Sequence, residues 1–209
     1  MYRLLALASG RGSNFLAILN AIESGEIPNA KMVGLITDRE NTGAEEHAKK
    51  YQVPVKVIPF KNYPTKDDFY QDLLLAVKSF EPDLILGAGF MRILPPEFIR
   101  SFPDRIMNIH PSLLPAFPGM NAQKQAYEYG VKVSGCTVHF MDEGVDTGPI
   151  ILQKAVEIPE GSSVEEITQL ILKEEHQLYI KAIKLFCENK LVIEYNTSKT
   201  RKIVRIKSS

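Results

Sequence analysis

The sequence lacks the features of secreted, membrane and nucleic-acid-binding proteins. Its two cysteines are too few for a disulfide framework, and nothing around them suggests a metal cluster. The 25 lysines and arginines are balanced by 25 aspartates and glutamates, which argues against a surface devoted to nucleic acid or to an anionic membrane. No apolar run approaches the roughly 20 residues of a membrane span. The first run, Leu4–Ala8, enters a glycine turn and is not typical of a signal peptide, so we expect a cytoplasmic protein.

The first half of the chain alternates short apolar runs with amphipathic segments. At 44% hydrophobic and 24% charged, its 209 residues have the balance of a globular protein with a proper core. The period of the apolar residues predicts strands at Leu4–Ala8, Lys31–Thr37, Val55–Ile58 and Leu84–Ala88. It predicts helices between them at Ser13–Ser24, Glu45–Tyr51 and Thr65–Phe80. This order predicts an α/β fold with a Rossmann-like, mostly parallel sheet and helices on both faces.

The second half has a different order of elements. The predicted elements are Pro95–Ser101 (helix), Arg105–Ile109 (strand), Gln123–Tyr129 (helix), Val133–Phe140 and Ile150–Val156 (strands) and Ser163–Cys187 (helix). Strands that follow one another without a helix favour a mixed C-terminal part. We predict one domain over residues 1–188 and a basic tail over residues 189–209. A solvated tail is favoured, although Val192–Tyr195 and Ile203–Ile206 could pair as an edge hairpin.

A glycine-rich turn, residues 9–12, joins the first strand to the first helix. Backbone N–H groups in such a turn can hold an anion at the helix N-terminus, and Ser13 or Asn14 can cap the helix. A tight turn with an ordinary cap explains the pattern equally well. A dinucleotide site is the weaker interpretation, because Phe15 stands where the third glycine belongs, although Asp38 could mimic the ribose-binding acid. With no P-loop lysine, a phosphate-sized anion is favoured over a triphosphate.

Asn108 and His110 lie two residues apart at the end of a predicted strand and so face the same side. Open α/β sheets bind ligands at the carboxyl ends of their strands. An amide beside an imidazole can stabilise an oxyanion and move a proton. A lone histidine is more often structural, but the proline-rich loop after His110 favours the catalytic interpretation. His139, inside a later strand, is expected to be a hydrogen-bonded core residue or a residue supporting the site.

Two further loops could serve a ligand site. Residues 87–89, Gly-Ala-Gly, follow the most apolar strand and leave room for a flat ligand, although they also suit a simple strand-to-helix turn. The acidic loop Asp142–Asp146 suits a turn, and calcium is a poor interpretation because the EF-hand spacing is missing. A carboxylate from this loop, delivered to His110, would help that histidine act as an acid.

Four stretches, ASGRGSN, GAGFMRIL, NIHPSLLPAFPG and TVHFMDEGVDTGPI, together resemble the phosphoribosylglycinamide formyltransferases, folate-dependent enzymes of purine synthesis. The resemblance runs from about Arg3 to about Glu188. The HPSLLP segment marks the wider formyltransferase superfamily. Methionyl-tRNA formyltransferases usually carry an arginine-glycine pair at Phe117-Pro118-Gly119 and an additional C-terminal domain, for which this chain is too short. Formyltetrahydrofolate hydrolase, the alternative, usually has an N-terminal regulatory domain, whereas here the similarity starts near residue 2.

The resemblance implies a role for each matching residue. The catalytic trio corresponds to Asn108, His110 and Asp146. The residues matching the ribonucleotide site are Gly12, Ser13, Asn14 and Glu175. Those matching the folate site are Lys66, Met91, Arg92, Ile93, Leu94 and Asn108, with the loop Asp142, Glu143, Gly144, Val145 and Asp146. The Leu114–Pro115 bond corresponds to a cis-proline in relatives.

The resemblance also implies the reaction and its participants. The formyl group of 10-formyltetrahydrofolate, the co-substrate, would pass to the amine of glycinamide ribonucleotide without a metal. We expect small-molecule substrates, no nucleic acid, no membrane, and a monomer or homodimer. Leu172 replaces a polar substrate contact of some relatives, and Asn121 and Gln123 replace histidines, which leaves their share in binding open. Two further alternatives are transfer to another amine and a non-catalytic nucleotide-binding module.

Overall fold

The computed structural model describes residues 1–207, which form two compact units, Met1–Met107 and a second that begins at Asn108. Ser208 and Ser209, which the tail prediction included, lie outside the described residues. Among residues 1–207, no helix is long and apolar enough to cross a membrane.

The first unit is built on parallel strands. These are β1 (Tyr2–Ala8), β2 (Ala30–Thr37), β3 (Val55–Val57) and β4 (Leu84–Gly87), hydrogen-bonded in the order β3-β2-β1-β4. All four residues of β4 are buried, as is typical of a parallel strand covered on both faces. The helices are α1 (Ser13–Glu23), α2 (Gly43–Lys50), α3 (Lys66–Ser79) and α4 (Pro96–Ser101), with a 3-10 turn at Phe60–Asn62.

Local sequence signals explain where the helices of this unit begin. Thr42 and Glu45 form a reciprocal capping box at α2, and the Thr65 hydroxyl accepts the Asp68 N–H at α3. Each such cap contributes about 1 kcal/mol. Helix α1 differs, because its cap position is held by Gly12 with no side-chain cap. The prediction that Ser13 or Asn14 caps α1 is therefore wrong, since both are already part of the helix.

The second unit combines antiparallel strands with a long helix. β5 (Ile106–His110), whose last three residues belong to it, is followed by β6 (Val133–Phe140) and β7 (Ile150–Glu157) in the order β5-β6-β7, and β6 and β7 are antiparallel. Helices α5 (Ala122–Tyr129) and α6 (Val164–Cys187) complete it, and α6 packs on β6 and β7. The buried face of α6 carries Ile167, Ile171, Tyr179, Ala182 and Ile183, which follow the helical period.

The basic tail is folded. β8 (Leu191–Tyr195) and β9 (Lys202–Ile206) form an antiparallel hairpin, and β9 lies against β7. The favoured expectation of a solvated tail is wrong here, because four of the five residues of β8 and three of the five residues of β9 are half-buried rather than fully exposed. The predicted fold class, a mostly parallel sheet with a mixed C-terminal part, is confirmed. The predicted strands and helices occur, and no end differs from the prediction by more than two residues.

Candidate active site

His110 is the last residue of β5 and is buried, with 4% of its surface exposed. Its ring nitrogen Nδ1 lies 3.3 Å from Asp146 Oδ2, and Nε2 lies 2.8 Å from the Phe117 carbonyl oxygen. A neutral imidazole has only one N–H, so the ring can donate to both acceptors only when both nitrogens carry protons. The arrangement therefore suits a cationic histidine beside a carboxylate. Such a histidine is a proton donor and a source of positive charge.

Asp146 lies between two histidines in the loop after β6. Its Oδ2 accepts the Gly119 N–H at 2.7 Å, and its Oδ1 lies 3.7 Å from His139 Nε2. The residue adopts a left-handed backbone conformation with φ 54°, which aspartate adopts more readily than most residues with a side chain. The contact between Asp146 and His110, which the sequence alone left open, is present in the structure.

His139 of β6 connects Asn108 to this cluster. Its Nδ1 lies 2.9 Å from the Phe140 carbonyl, and its Nε2 lies 3.4 Å from Asn108 Nδ2. Burial lowers the pKa of His139, against the opposing influence of the Phe140 carbonyl and the Asp146 carboxylate. A neutral ring that donates from Nδ1 leaves Nε2 free to accept from the Asn108 amide. His139 thereby orients the amide of Asn108, the supporting role considered for it from the sequence.

The loop after β5 is held rigidly by side-chain hydrogen bonds. The Ser112 hydroxyl donates to the Ala116 carbonyl at 2.5 Å, and the Thr137 hydroxyl donates to the Ser112 carbonyl at 2.7 Å. The Leu114–Pro115 peptide bond is cis, as expected. This loop carries the Phe117 carbonyl to His110 and the Gly119 N–H to Asp146. Both are backbone groups, which is why no residue type in the sequence indicated their roles.

The acidic loop is stabilised from within. Asp142 Oδ1 accepts the Gly144 N–H at 3.1 Å and the Thr147 hydroxyl at 2.6 Å. At the end of the loop, a Cβ on Gly148 would lie 1.8 Å from the Phe140 carbonyl oxygen, so only glycine fits there. Three residues of the loop, Glu143, Gly144 and Val145, are exposed. The loop thus presents its middle to solvent while holding Asp146 inward.

The glycine turn of the first unit requires glycine at position 12. Gly12 has φ 72°, and a Cβ there would lie 2.8 Å from the Cα of Ala44. Ser13 and Asn14 form the first turn of α1, where backbone N–H groups have no partner within the helix. The Ser9 N–H donates to the Gly89 carbonyl, and the Ser9 hydroxyl accepts the Met91 N–H at 2.9 Å. The structure thus joins the turn to the predicted folate segment.

Arg92 is the best anchored residue of that segment. Its guanidinium lies 3.6 Å from the centre of the Phe60 ring, and its Nε lies 2.5 Å from Asp38 Oδ2. The Asp38 side chain is 1% exposed, so the acid considered for a ribose contact is instead occupied by Arg92. Around it, Met91 and Ile93 are exposed while Leu94 is buried. Lys66, the first residue of α3, is also exposed.

The formyl transferase family profile matches residues 2–183. This chain belongs to the formyl transferase family. It is 42% identical over 184 residues to the phosphoribosylglycinamide formyltransferase of Bacillus subtilis, which covers 88% of this chain and 94% of that protein. It is 43% identical over 190 residues to the trifunctional purine biosynthetic protein adenosine-3 of Drosophila pseudoobscura pseudoobscura, covering 90% of this chain but only 14% of that protein.

Solved structures also place this chain in the formyl transferase family. Glycinamide ribonucleotide transformylase 1 from Symbiobacterium toebii superposes with a TM-score of 0.93 and 45% identity, covering 100% of this chain and 95% of that one. A formyltetrahydrofolate deformylase from Pseudomonas syringae has a TM-score of 0.88 but 24% identity, covering 99% of this chain and 66% of that one. The deformylase shares the fold, and at that identity the likeness extends no further.

The other residues singled out from the sequence of this formyl transferase lie on helix α6 or in and next to helix α5. Glu175 lies on the buried side of α6, and its charge adds to burial in raising the pKa of the Cys136 thiol to about 12. The Cys136 thiol is therefore protonated near neutral pH. Leu172 is half-buried on α6, Gln123 is half-buried on α5, and Asn121 is exposed at the start of α5. Among the described residues, no group of three or more histidine, cysteine, aspartate or glutamate side chains is arranged so that it could hold a metal ion.

Replacing Asp38 with asparagine is expected to destabilise this formyl transferase by about 1–3 kcal/mol, because it leaves Arg92 without its anionic partner. Chemical denaturation measures the loss. Glu40→Gln is the matched control, since the Glu40–Lys61 pair is exposed at 50% and 72% and should contribute less than about 1 kcal/mol. Equal effects of the two substitutions would contradict a structural role for the Asp38–Arg92 pair.

Proposed function

We propose that this formyl transferase moves the formyl group of 10-formyltetrahydrofolate to the amine of glycinamide ribonucleotide, a step of purine biosynthesis. The observation that carries the proposal is the cluster in which Asp146 lies 3.3 Å from His110 and the Asn108 amide is oriented by His139. It occurs in a chain that is similar over almost its whole length to proteins named phosphoribosylglycinamide formyltransferase. Both substrates are small molecules, and we propose a cytoplasmic monomer or homodimer.

The proposed reaction is direct transfer. The neutral amine of the ribonucleotide attacks the formyl carbon, and the carbonyl oxygen becomes a tetrahedral oxyanion. The positive charge of doubly protonated His110 stabilises that oxyanion. The Asn108 amide has two N–H groups, and His139 Nε2 can accept only one of them, so the second is available to the oxyanion.

Collapse of the intermediate breaks the bond between the formyl carbon and the folate nitrogen. The attacking amine loses a proton and the leaving folate nitrogen gains one, so no net proton is consumed. Asp146 keeps His110 charged and can pass this proton, directly or through water. The substrate amine is itself the nucleophile, and no covalent enzyme intermediate forms. Much of the rate comes from holding the two substrates in register.

We assign the substrates to groups of residues described above. Gly12, Ser13 and Asn14 bind the ribonucleotide phosphate, since the N-terminus of a helix, here α1, directs backbone N–H groups and the positive end of the helix dipole towards an anion. Glu175 contacts the glycinamide end. The folate contacts are proposed for Lys66, for the backbone and side chains of Met91, Arg92, Ile93 and Leu94, for Asn108 and for the loop from Asp142 to Asp146.

Replacing Ser13 with glutamate is expected to weaken glycinamide ribonucleotide binding at least tenfold without loss of stability. A carboxylate at the start of α1 is favourable for the helix dipole and unfavourable for a bound phosphate. Isothermal titration measures the affinity and thermal unfolding the stability. Ser13→Gln, of the same size but neutral, is the control and should bind within about threefold of the parent. The Gly12→Val substitution is a poorer test, because the contact with Ala44 would also disturb the fold.

Mass spectrometry of the product tests the proposed acceptor. The protein is incubated with 10-formyltetrahydrofolate that carries an isotope-labelled formyl group, together with glycinamide ribonucleotide or one of several other amines. We expect the label in the ribonucleotide. Label in a different amine would show that this amine, and not the ribonucleotide, is the acceptor. Label only in free formate would favour the hydrolase alternative.

A further inference from the structure

The C-terminal hairpin touches the loop that carries Asp146. Arg201, the last residue of the turn between β8 and β9, donates from Nη2 to the Thr147 carbonyl at 2.7 Å and to the Gly148 carbonyl at 3.3 Å. These two residues directly follow Asp146 in sequence. A guanidinium is a planar donor with a fixed charge, and its hydrogen bonds to carbonyls fix their direction. The hairpin thus holds the chain at the first peptide groups after Asp146.

A cavity beside this contact shows that the hairpin and the loop share a surface. The cavity has a volume of about 370 Å³, and its lining includes Asp146 and Thr147 of the loop. The hairpin contributes Arg201, Ile203 and Val204 to the same lining. Because space remains beside the Asp146 loop, packing alone does not fill its surroundings, and the hydrogen bonds from Arg201 are the directional restraint on this side.

The position of Asp146 is sensitive to small shifts. Its Oδ2 lies 3.3 Å from His110 Nδ1 in an ion pair that is longer than an ideal N–H···O hydrogen bond, so a displacement of a few tenths of an ångström would weaken the contact. The backbone at Asp146 is in a left-handed conformation, with φ 54°. The other side of the loop is held by Asp142 through the Thr147 hydroxyl. Arg201 and Asp142 therefore restrain Thr147 from its two sides.

We propose that the C-terminal hairpin positions the catalytic carboxylate, with Arg201 as the positioning residue that holds Asp146 in reach of His110. The inference rests on the proposed function, since it gives the basic tail a part in that reaction. Arg201 touches neither substrate in this account and acts only through the Asp146 loop.

The kinetic test is a double-mutant cycle between Arg201 and Asp146. Arg201→Ala is expected to lower kcat about tenfold while leaving the affinity for glycinamide ribonucleotide unchanged, because misplacement of a catalytic group by a fraction of an ångström slows the chemical step. In an Asp146→Asn background the same substitution should change kcat less than twofold, since the charge that it positions is already gone. Arg201→Lys should recover only part of the rate, because an ammonium lacks the planar geometry.

Arg205→Ala is the matched control. Arg205 lies in β9 of the same hairpin, its side chain is 68% exposed, and it pairs with Glu194. The Arg205→Ala substitution should leave kcat unchanged. An undiminished kcat in Arg201→Ala, or an equal loss with and without the Asp146 charge, would overturn the proposal.

Amide hydrogen exchange separates failure of this inference from failure of the proposed function. In Arg201→Ala, residues 142–148 should exchange faster than in the parent and in Arg205→Ala, whatever the reaction proves to be. Unchanged exchange in this loop would overturn the positioning role. If the parent protein transferred no formyl group to glycinamide ribonucleotide, the proposed function would instead be overturned.

Discussion

Replacing His110 with alanine is expected to lower kcat by about two to four orders of magnitude, the usual contribution of a general acid–base residue. The ring is held between the Asp146 carboxylate and the Phe117 carbonyl. In the proposed mechanism its positive charge stabilises the oxyanion, and the substitution removes that charge. Substrate affinities should change little, because the charge of His110 acts mainly on the transition state.

The measurement for His110→Ala pairs steady-state kinetics with thermal unfolding. His47→Gln is the control, since His47 lies in the polar helix α2 and takes no part in the cluster. The control should keep both its rate and its stability. A His110→Ala protein that is folded and turns over near the parent rate would show that the trio is wrongly assigned.

Replacing Asp146 with asparagine is expected to lower kcat by at least about a hundredfold. Asparagine has nearly the same shape and can still accept the Gly119 N–H through its side-chain oxygen, so the loop should keep its form. What is lost is the negative charge that faces His110 and His139. Without that charge the cationic form of His110 loses its partner and proton transfer to the folate nitrogen slows.

Asp142→Asn is the informative comparison for Asp146→Asn. Asp142 lies in the same loop but bonds to Gly144 and Thr147 instead of to the histidines. Its replacement should raise the KM for the folate more than it lowers kcat. If the two substitutions gave the same kinetic pattern, the loop would act as one structural unit and the assigned role of the Asp146 charge would be wrong.

The fold could be predicted from the sequence because its local signals agree with one another. The apolar run of β4 is buried along its whole length, and the caps at Thr42 and Ser163 mark helix starts that the apolar period also predicts. The predictions were wrong at positions where one local sequence pattern is compatible with two different structures. At α1 a left-handed glycine took the place of a side-chain cap, and the basic tail folded because its strands have a partner in each other.

The candidate site could be predicted in its residue types but not in its contacts. Asn108 and His110 share a strand, so their common face follows from alternation alone. Contacts to Asp146 depend on how a loop 36 residues further on folds back, which spacing does not encode. The donor at Gly119 and the acceptor at Phe117 are backbone groups, and every residue has those. Arg201 reaches backbone carbonyls 53 and 54 residues away, so neither partner has a side-chain signature.

The most direct test of the central claim is the acceptor dependence of folate deformylation. The purified protein is mixed with 10-formyltetrahydrofolate, with and without glycinamide ribonucleotide, and the deformylated folate is followed by absorbance. The account predicts turnover only when the ribonucleotide is present. Equal turnover without it would contradict the account and indicate a hydrolase, and a well-folded protein with no turnover in either mixture would contradict it as well.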